Sequence, residues 1–432
     1  MPRLRALLPC FAALLATAPA PAADLSEEEA KIVEVIESRA EEAIGLLERA
    51  VNINSGTMNL EGVREVGDLF RAEFNDLGLS TKWVDGSAFE RAGHLIARSN
   101  GTGPRLLLIG HLDTVFEPFS PFQRFERDGD EAKGPGVVDM KGGNVVIVEA
   151  LRALKTVGVM NEVAVTVALI GDEERSGRPL DQARAALRAA AHNADYVLAF
   201  ENGDSNPATA VIARRGASGW RLEVTGTPAH SSQLFQPEVG AGAVYEAARI
   251  LHGFYERLSG ENLLTFNPGV ILGGTDVTYD AFQASGTAFG KTNVVAGSTV
   301  VTGDLRAISL KQLEHARSVM REVVADSLPG TSATITFDDG YPPLAPTAGN
   351  HDLLKLFSQI SVELGHGEVA AVDPRNAGAA DVSFTAGIVD RAIDGLGPGG
   401  GNDHTVAEYI ILPTLSIQTQ RAALMILRLS RM

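Results

Sequence analysis

Five short stretches of the 432-residue sequence combine histidine or acidic residues with glycine. They are Gly110-His111-Leu112-Asp113-Thr114, residues 134–143 around Asp139, Gly171-Asp172-Glu173-Glu174, Phe200-Glu201-Asn202-Gly203, and residues 397–404 ending at His404. Imidazole and carboxylate ligands of this kind suit Zn²⁺, and less specifically Mn²⁺ or Co²⁺. The stretches supply enough ligands for two ions that share a carboxylate, and such a pair activates water for hydrolysis.

The His111 stretch directly follows an apolar run. Residues i and i+2 of an extended segment share a face, so His111 and Asp113 are expected to point the same way. Asp113 would then fix the tautomer of a metal-bound His111 through the other ring nitrogen. The H-x-D pattern alone also permits an ordinary strand-end histidine paired with an acid.

The acidic stretches each have an ordinary structural alternative. Asp139 stands where a glycine-rich loop meets a helical pattern, so it could be a simple helix cap. Glu173 and Glu174 could belong to a solvated acidic turn. As a functional pair, one would ligate a metal while the other acts as general base, because adjacent carboxylates at a strand end need a cation or a shared proton.

The surrounding elements predict an α/β domain with a largely parallel sheet. Buried strands are expected at residues 106–109, 163–170 and 196–200, with a helix over residues 140–157. The candidate ligands follow these strands, and α/β folds place their sites outside the carboxyl ends of strands.

The pattern changes near residue 213. The order β-α-β-β-α-β up to residue 337 predicts a small ferredoxin-like α+β domain. It is expected as an insertion over residues 213–339, within a first domain made of residues 24–212 and 340–432. Segments rich in glycine and proline flank it and are plausible hinges.

The N-terminal sequence and the overall charge indicate where the protein is located and exclude some classes of function. Residues 1–23 have a basic start, an apolar run and a small-residue end, which predicts a secretory signal peptide, no membrane span after cleavage, and a periplasmic or secreted protein. The only cysteine, Cys10, lies in this segment, so thiol catalysis is excluded from the mature chain. Acidic residues outnumber basic ones 54 to 37, a net charge of −17 that argues against nucleic-acid binding.

Together, these motifs resemble the co-catalytic zinc metallopeptidases that include glutamate carboxypeptidase, acetylornithine deacetylase and succinyl-diaminopimelate desuccinylase, with glutamate carboxypeptidase the most similar. The resemblance spans nearly the whole mature chain. The matching stretches, in the family's order, are GHLDTV (110–115), GPGVVDMKGG (134–143), GDEERSG (171–177), ENG (201–203), GTPAHSS (226–232), KTNVVAGS (291–298), GDLRAIS (303–309) and GNDHTVAEY (401–409).

The resemblance implies a role for each candidate. His111, Asp139 and Glu201 would hold one zinc ion, and Asp139 would bridge to a second held by Glu174 and His404. Glu173 would be the general base, with Asp113 orienting His111. The family also implies a cis peptide bond at Asp139-Met140.

In the insertion, the resemblance implies that His230 reaches the active site of a partner subunit, which requires a homodimer. Asn293 and Arg306 would bind the terminal carboxylate of the substrate. A further arginine is expected after the last strand of the insertion, but this chain has Asp339-Gly340-Tyr341-Pro342 there. Specificity for a C-terminal glutamate is therefore open, and Arg214 or Arg215 are possible substitutes.

The leading hypothesis is a secreted dizinc exopeptidase of the carboxypeptidase type, which releases a C-terminal amino acid from a peptide or an N-acyl amino acid. The alternative within the family is an N-acyl amino acid deacylase or desuccinylase. A non-catalytic periplasmic binding protein is the third hypothesis, although a pure binder would not need Glu173.

Overall fold

The computed structural model describes residues 25–281 and 283–432, so the predicted signal peptide and Cys10 lie outside the described residues. The helices are α1 Glu27–Ser38, α2 Ala40–Val51, α3 Leu60–Asp76, α4 Lys141–Val157, α5 Leu180–Ala183, α6 Ala185–Ala191, α7 Ala243–Leu258, α8 Leu310–Ala325, α9 Ala348–Glu363 and α10 Pro413–Ser430. The strands are β1 Ser80–Asp85, β2 Gly93–Arg98, β3 Arg105–His111, β4 Glu126–Asp128, β5 Glu131–Lys133, β6 Ala164–Ile170, β7 Tyr196–Ala199, β8 Thr209–Ala210, β9 Ala217–Gly226, β10 Thr265–Gly274, β11 Asp276–Asp280, β12 Ser285–Phe289, β13 Ser298–Arg306, β14 Thr331–Tyr341, β15 Ala370–Ala371, β16 Ala392–Ile393, β17 Gly400–Gly401 and β18 Tyr409–Ile411.

The largest sheet has six strands in the order β1-β2-β6-β3-β7-β16. Strands β6, β3, β7 and β16 pair in parallel, whereas β1 pairs antiparallel with β2, and β2 antiparallel with β6. The sheet is therefore mixed, and the prediction of a mostly parallel sheet was wrong. The predicted strands were those separated by helices, whereas β1 and β2 are joined by the short segment 86–92, which suits antiparallel pairing.

Both faces of this sheet are buried. Leu106 and Leu108 of β3 belong to one hydrophobic cluster, and Leu107 and Ile109 belong to another on the opposite face. This alternation follows the two-residue period of a strand. Helix α4 packs in the first cluster against α1, α2 and α10, and is buried on almost every side. A layer of helices on each face thus holds the sheet rigid beneath its carboxyl edge.

Residues 217–341 build a second sheet with its own core. Strands β10, β13, β9 and β14 lie in that order, and all neighbours are antiparallel. The elements β9, α7, β10, β13, α8 and β14 follow the predicted β-α-β-β-α-β order, with the unpredicted hairpin β11–β12 between β10 and β13. Helix α7 begins directly after Gly240 and Gly242, which take positive φ angles of 72° and 78° that a regular helix does not allow.

Within the part of the chain that the structure describes, no helix has both the length and the apolar character needed to cross a membrane.

Candidate metal centre and catalytic residues

His111 is the last residue of β3, at the edge where parallel strands end together. In the register of the sheet it lies beside Ile170, the last residue of β6, while Ile109 lies beside Ala199, the last residue of β7. The buried imidazole turns Nε2 toward the Asp139 carboxylate, at 3.0 Å, and toward Glu201, at 3.3 Å. The parallel part of the sheet therefore brings the first and fourth motifs together.

Asp139 lies between two histidines. Its Oδ1 is 3.0 Å from His111 Nε2, and its Oδ2 is 3.0 Å from His404 Nε2. The cap of α4 is Met140 and no side chain caps the helix, so the simple capping role for Asp139 is excluded. The peptide bond between Asp139 and Met140 is cis, as the resemblance implied.

Buried Glu408 fixes the loop that carries Asp139. Its carboxylate accepts hydrogen bonds from the backbone N–H groups of Gly136 (3.1 Å), Val138 (3.0 Å) and Asp139 (3.2 Å). These three hydrogen bonds to one buried side chain orient the short loop. Glu408 was noticed in the sequence only as part of the His404 stretch, without this role.

Glu174 and His404 complete the set of predicted ligands. His404 Nε2 lies 3.2 Å from Glu174 Oε2. His404 has a positive φ of 61° in a turn at the rim of the site and is half exposed. Two groups of side chains could each hold a metal ion, because the ligand atoms inside each group lie within 4.8 Å of one another. One group is His111, Asp139 and Glu201, and the other is Asp139, Asp403 and His404. Asp403 was not among the predicted ligands.

The electrostatics of this donor set fit a bound cation. Burial, and then the charge of Asp139, raises the pKa of Glu174 to about 7. Burial also raises the pKa of Glu201 to about 7, against the opposing effect of His111. Hydrogen bonds to Asp139 and Glu174 raise the pKa of His404 to about 11. The two carboxyl groups resist ionisation while His404 retains a proton. A bound metal ion would stabilise the ionised carboxylates and take the place of the proton on His404.

Asp113 has a wider role than the H-x-D pattern predicted. Its carboxylate accepts hydrogen bonds from the N–H groups of Glu173 (3.0 Å) and Glu174 (3.1 Å), and from the Thr57 hydroxyl (2.7 Å). His111 Nδ1 is nearer to the backbone oxygen of Asp113, at 3.0 Å, than to its carboxylate, at 3.5 Å. Asp113 thus orients His111 mainly through its main chain, and its carboxylate holds the turn that carries both glutamates.

Glu173 lines a cleft of about 350 Å³ next to the candidate ligands. The cleft is lined by Asp139, Glu173, Glu201, Asn202, Gly203, Arg214, Asn376, Gly378, Ala379, Ala380, Asp403 and His404. Burial, and then the negative charge of Asp381, raises the pKa of Glu173 well above its usual value. A carboxyl group that binds a proton readily is suited to general acid–base work, and a solvated acidic turn is excluded.

A buried charge network lies behind Glu173. Arg184 donates to Asp172 Oδ1 (2.7 Å) and Asp381 Oδ1 (2.8 Å), and to the hydroxyl of Tyr341 (3.1 Å). Tyr341 donates in turn to the backbone oxygen of Glu173 at 2.7 Å. Arg184, Asp381 and Tyr341 carry no motif in the sequence, and their partners are distant along the chain, so no local signal could have found them.

Replacing Tyr341 with Phe is expected to lower kcat about fivefold, because it removes one hydrogen bond that positions Glu173, worth about 1 kcal/mol. The metal content should not change, since Tyr341 contacts none of the candidate ligands. The matched control is Tyr255→Phe, an exposed tyrosine on α7. Activity of Tyr341→Phe equal to that of the wild type would contradict a positioning role.

The structure does not bring the three predicted residues of the insertion to this cleft. His230 is exposed, its Nδ1 lies 2.8 Å from the Ser232 hydroxyl, and its backbone bridges to Val294. Asn293 is also exposed. Arg306 ends β13 and donates to Asp304 Oδ2 at 3.0 Å. None of the three lines the cleft within one chain.

Arg214 borders the cleft, but its guanidinium is engaged in hydrogen bonds to other residues of the protein. It is buried and donates through Nε and Nη2 to Asp394 Oδ2, at 2.9 and 2.7 Å, and through Nη1 to the Gly378 oxygen, at 2.6 Å. Asp394 Oδ1 accepts from the N–H of Glu201 at 3.2 Å. Arg214 therefore stabilises the Glu201 loop and is not free to bind a substrate carboxylate.

Comparison with known proteins agrees with this geometry. The chain is 27% identical over 393 residues to carboxypeptidase G2 of Pseudomonas sp. (strain RS-16), covering 89% of each protein. A shorter match, 30% identical over 157 residues, covers 35% of this chain and 37% of acetylornithine deacetylase of Proteus mirabilis (strain HI4320).

Among solved structures, the fold resembles a dinuclear metal-binding peptidase of the M20 family from Bacillus subtilis. The TM-score is 0.61 at 14% identity, with 92% of this chain and 100% of that chain covered. Residues 107–428, most of the sequence and all of the candidate ligands, match the family described as Peptidase family M20/M25/M40. This chain therefore belongs to peptidase family M20/M25/M40 and is a hydrolase of the metallo-carboxypeptidase and peptidase type.

Proposed function

We propose that this enzyme is a dizinc exopeptidase of the carboxypeptidase type. It would cleave the amide bond next to a free carboxylate and release a C-terminal amino acid from a peptide or an N-acyl amino acid. The observation that carries the proposal is the position of Asp139 between His111 and His404, with Glu173 in the adjoining cleft.

In this proposal His111, Asp139 and Glu201 hold one ion, and Asp139, Glu174 and His404 hold the other. The donors are imidazole nitrogens and carboxylate oxygens, which favour zinc and also accept manganese or cobalt. Two such ions, when bound, would supply Lewis acidity that lowers the pKa of the attacking water and polarises the scissile carbonyl.

Glu173 takes a proton from the attacking water, whose oxygen forms a bond to the carbonyl carbon. Glu173 then delivers the proton to the nitrogen of the leaving amine as the carbon–nitrogen bond breaks. Asp113 and Tyr341 hold the backbone of Glu173 on two sides, through its N–H and its carbonyl oxygen. The cleft beside Glu201 and Asn376 is the space in which the substrate binds.

The metal assignment predicts about two ions per chain in the zinc-loaded protein and about one in His404→Ala. A chelator is expected to abolish hydrolysis, and added zinc to restore it. Elemental analysis of the dialysed protein measures the metal content. His351→Ala, an exposed histidine on α9, is the matched control and should keep both ions. Full metal content in His404→Ala would contradict the assignment.

A hydrolysis screen of the zinc-loaded protein tests the reaction. Folate-like substrates, dipeptides and N-acetyl or N-succinyl amino acids separate the carboxypeptidase from the deacylase alternative, which the acetylornithine deacetylase match favours over part of the chain. Hydrolysis confined to small N-acyl amino acids would support the deacylase. No chelator-sensitive hydrolysis of any substrate would count against both.

The proposal includes an inserted domain, residues 213–339, that acts as a lid on a catalytic domain made of residues 24–212 and 340–432. The separate core of the insertion, formed from residues between Trp220 and Phe337, supports this division. His230 would act in the site of a partner subunit, where it would polarise the scissile carbonyl. Asn293 and Arg306 would bind the terminal carboxylate of the substrate, since a planar guanidinium matches a carboxylate.

A homodimer formed through the lid is part of the proposal. The lid exposes Phe235, Val244, Tyr245 and Ile271, and β10 is an edge strand of its sheet. Light scattering should therefore give twice the chain mass. The double variant Tyr245→Ser/Ile271→Asp should be a folded monomer with little activity, because it separates His230 from the partner's site. A fully active wild-type monomer would contradict the dimer.

We also propose that residues 1–23 are removed and that the enzyme is periplasmic or secreted, on the basis of the sequence pattern alone. Cell fractionation followed by N-terminal sequencing tests this. An intact N-terminus in the cytoplasmic fraction would contradict it.

A further inference from the structure

A second cavity, of about 250 Å³, lies apart from the cleft beside Glu173. Helices α5 and α6 line one side of it, α8 lines another, and the end of β14 also contributes. We call it the α6–α8 cavity. Within the part of the chain that the structure describes, no residue lines both this cavity and the cleft. It is therefore a separate site, between the two domains of the proposed function.

The α6–α8 cavity has an apolar interior. Leu313 of α8 and Phe384 of the catalytic domain are both 8% exposed, and Leu180 of α5 contributes a third apolar side chain. The ring of Tyr341 packs against Phe384, at 5.1 Å between centroids, and extends this lining. Small-molecule sites commonly combine such an interior with a few polar groups. The interior therefore suits a small apolar group of a ligand.

The rim of the cavity carries both signs of charge. Arg188 is half exposed, and the only acid within ion-pair distance of it in the described residues is Asp181, at 3.9 Å, too far for a hydrogen bond. Glu314 and Asp339 are largely exposed and each accept from Arg317 through one oxygen, at 3.3 and 2.6 Å. Their second oxygens accept no hydrogen bond from the described residues. The rim thus offers one guanidinium and two carboxylate oxygens to a ligand.

A free amino acid with an apolar side chain matches this arrangement. Its carboxylate can pair with the planar fork of Arg188, and its ammonium group can donate to Glu314 or Asp339. A ligand with only the carboxylate would meet two like charges at the rim, and a ligand with only the ammonium group would leave Arg188 without an acceptor. The reaction of the proposed function releases free amino acids, so the enzyme itself supplies such a ligand.

The cavity is connected to the general base through two of its lining residues. Tyr341 donates to the main-chain oxygen of Glu173 at 2.7 Å, and Arg184 donates to the Tyr341 hydroxyl at 3.1 Å. Across the same boundary, Arg178 donates through Nη1 to the backbone oxygen of Asp339 at 2.9 Å. A ligand in the cavity would therefore contact residues that hold the domain boundary and the main chain of Glu173.

We infer that the α6–α8 cavity binds a free amino acid with an apolar side chain, and that its occupation slows turnover. The slowing rests on the proposed function, in which α8 belongs to a lid and α5 and α6 belong to the catalytic domain. A ligand that fills the space between them opposes their closer approach and shifts the population toward the more open arrangement. Steps that need closure of the lid over the cleft become slower. This is inhibition by a product at a site other than the active site.

Calorimetric titration with L-leucine tests the site. Isocaproate lacks the ammonium group and isoamylamine lacks the carboxylate, so each should bind at least about tenfold more weakly than leucine, the loss expected for a charge-assisted hydrogen bond. Arg188→Met should weaken leucine binding by a similar factor. Leu313→Trp should abolish it, because the larger side chain fills the cavity. Arg257→Met, an exposed arginine of α7, is the matched control and should bind leucine as the wild type does.

Steady-state kinetics test the effect on turnover. Saturating leucine should lower the kcat of the wild type at least about twofold with little change in KM, because it acts on the population of the closed state. The kcat of Arg188→Met should not respond to the same leucine concentration. Circular dichroism checks that the variants fold, and the exposed Arg188 keeps the test independent of Leu313 in the core.

The outcomes separate this inference from the proposed function. No leucine binding, or binding of equal strength in the wild type, Arg188→Met and Leu313→Trp, would overturn the inference, as would inhibition that only raises KM. Binding that depends on Arg188 but leaves kcat unchanged would overturn the slowing of turnover. Binding that depends on Arg188, in a protein that hydrolyses no substrate, would overturn the proposed function and support the amino acid site.

Discussion

Replacing Glu173 with Gln is expected to lower kcat by about 10² to 10⁴-fold, the contribution typical of a positioned general base. The change keeps the size of the side chain and removes only its ability to take a proton. Among residues 25–281 and 283–432, no hydrogen bond or ion pair joins the Glu173 side chain to a candidate ligand, so the metal content should stay near that of the wild type. Steady-state rates at saturating substrate measure the effect.

The neighbouring glutamate provides a sharp contrast. Glu174→Gln removes a carboxylate that lies 3.2 Å from His404, so it should lose metal as well as activity. Glu223→Gln, on the exposed side of β9, is the control for an isosteric change far from the site. If Glu173→Gln retained activity within tenfold of the wild type, or lost its metal as Glu174→Gln should, the assignment of the base would be wrong.

The candidate ligands could be predicted because they lie at strand ends and in glycine-rich loops, where folds of this type place functional sites. His111 ends one strand of the parallel part of the sheet, and Glu174 and Glu201 follow two others, whose carboxyl ends meet at the same edge. Asp139 and His404 do not follow such strands, but each lies in a glycine-rich stretch. Chemistry and local pattern therefore indicated the same five side chains.

The groups that hold these ligands in place could not be predicted in the same way. Glu408 binds the Asp139 loop from far along the chain, and Asp381 faces Arg184 across a comparable distance in sequence. The sequence around a single acidic or basic residue does not indicate which distant residue it pairs with in the folded protein. Sequence alone therefore gives the reacting groups more readily than the contacts that orient them.

These contacts link the two domains of the proposal. Tyr341 is the last residue of β14, the strand by which the chain leaves the lid, and it donates to the main-chain oxygen of Glu173. Its ring also packs against Phe384, at 5.1 Å between centroids. A displacement of the lid strand would therefore change the position of the Glu173 main chain.

Replacing Arg184 with Leu is expected to cost about 3–5 kcal/mol of the free energy of unfolding, the loss typical of breaking a buried ion pair. Arg184 is fully buried, and it is the shared partner of Asp172 and Asp381, which are also buried. Even beside Arg184, burial raises the pKa of Asp381 to about 6. Without the guanidinium, both carboxylates would have to be neutralised or hydrated, and either outcome favours the unfolded chain.

Urea unfolding followed by circular dichroism measures this loss. Arg188→Leu, one helical turn further along and exposed, is the matched control and should change stability by less than about 0.5 kcal/mol. The triple variant Arg184→Leu/Asp172→Asn/Asp381→Asn should recover part of the lost stability, because it removes the unpaired charges as well. If the single variant were as stable as the wild type, the network would not hold the Glu173 turn, and the effect of Tyr341→Phe on kcat should then also be absent.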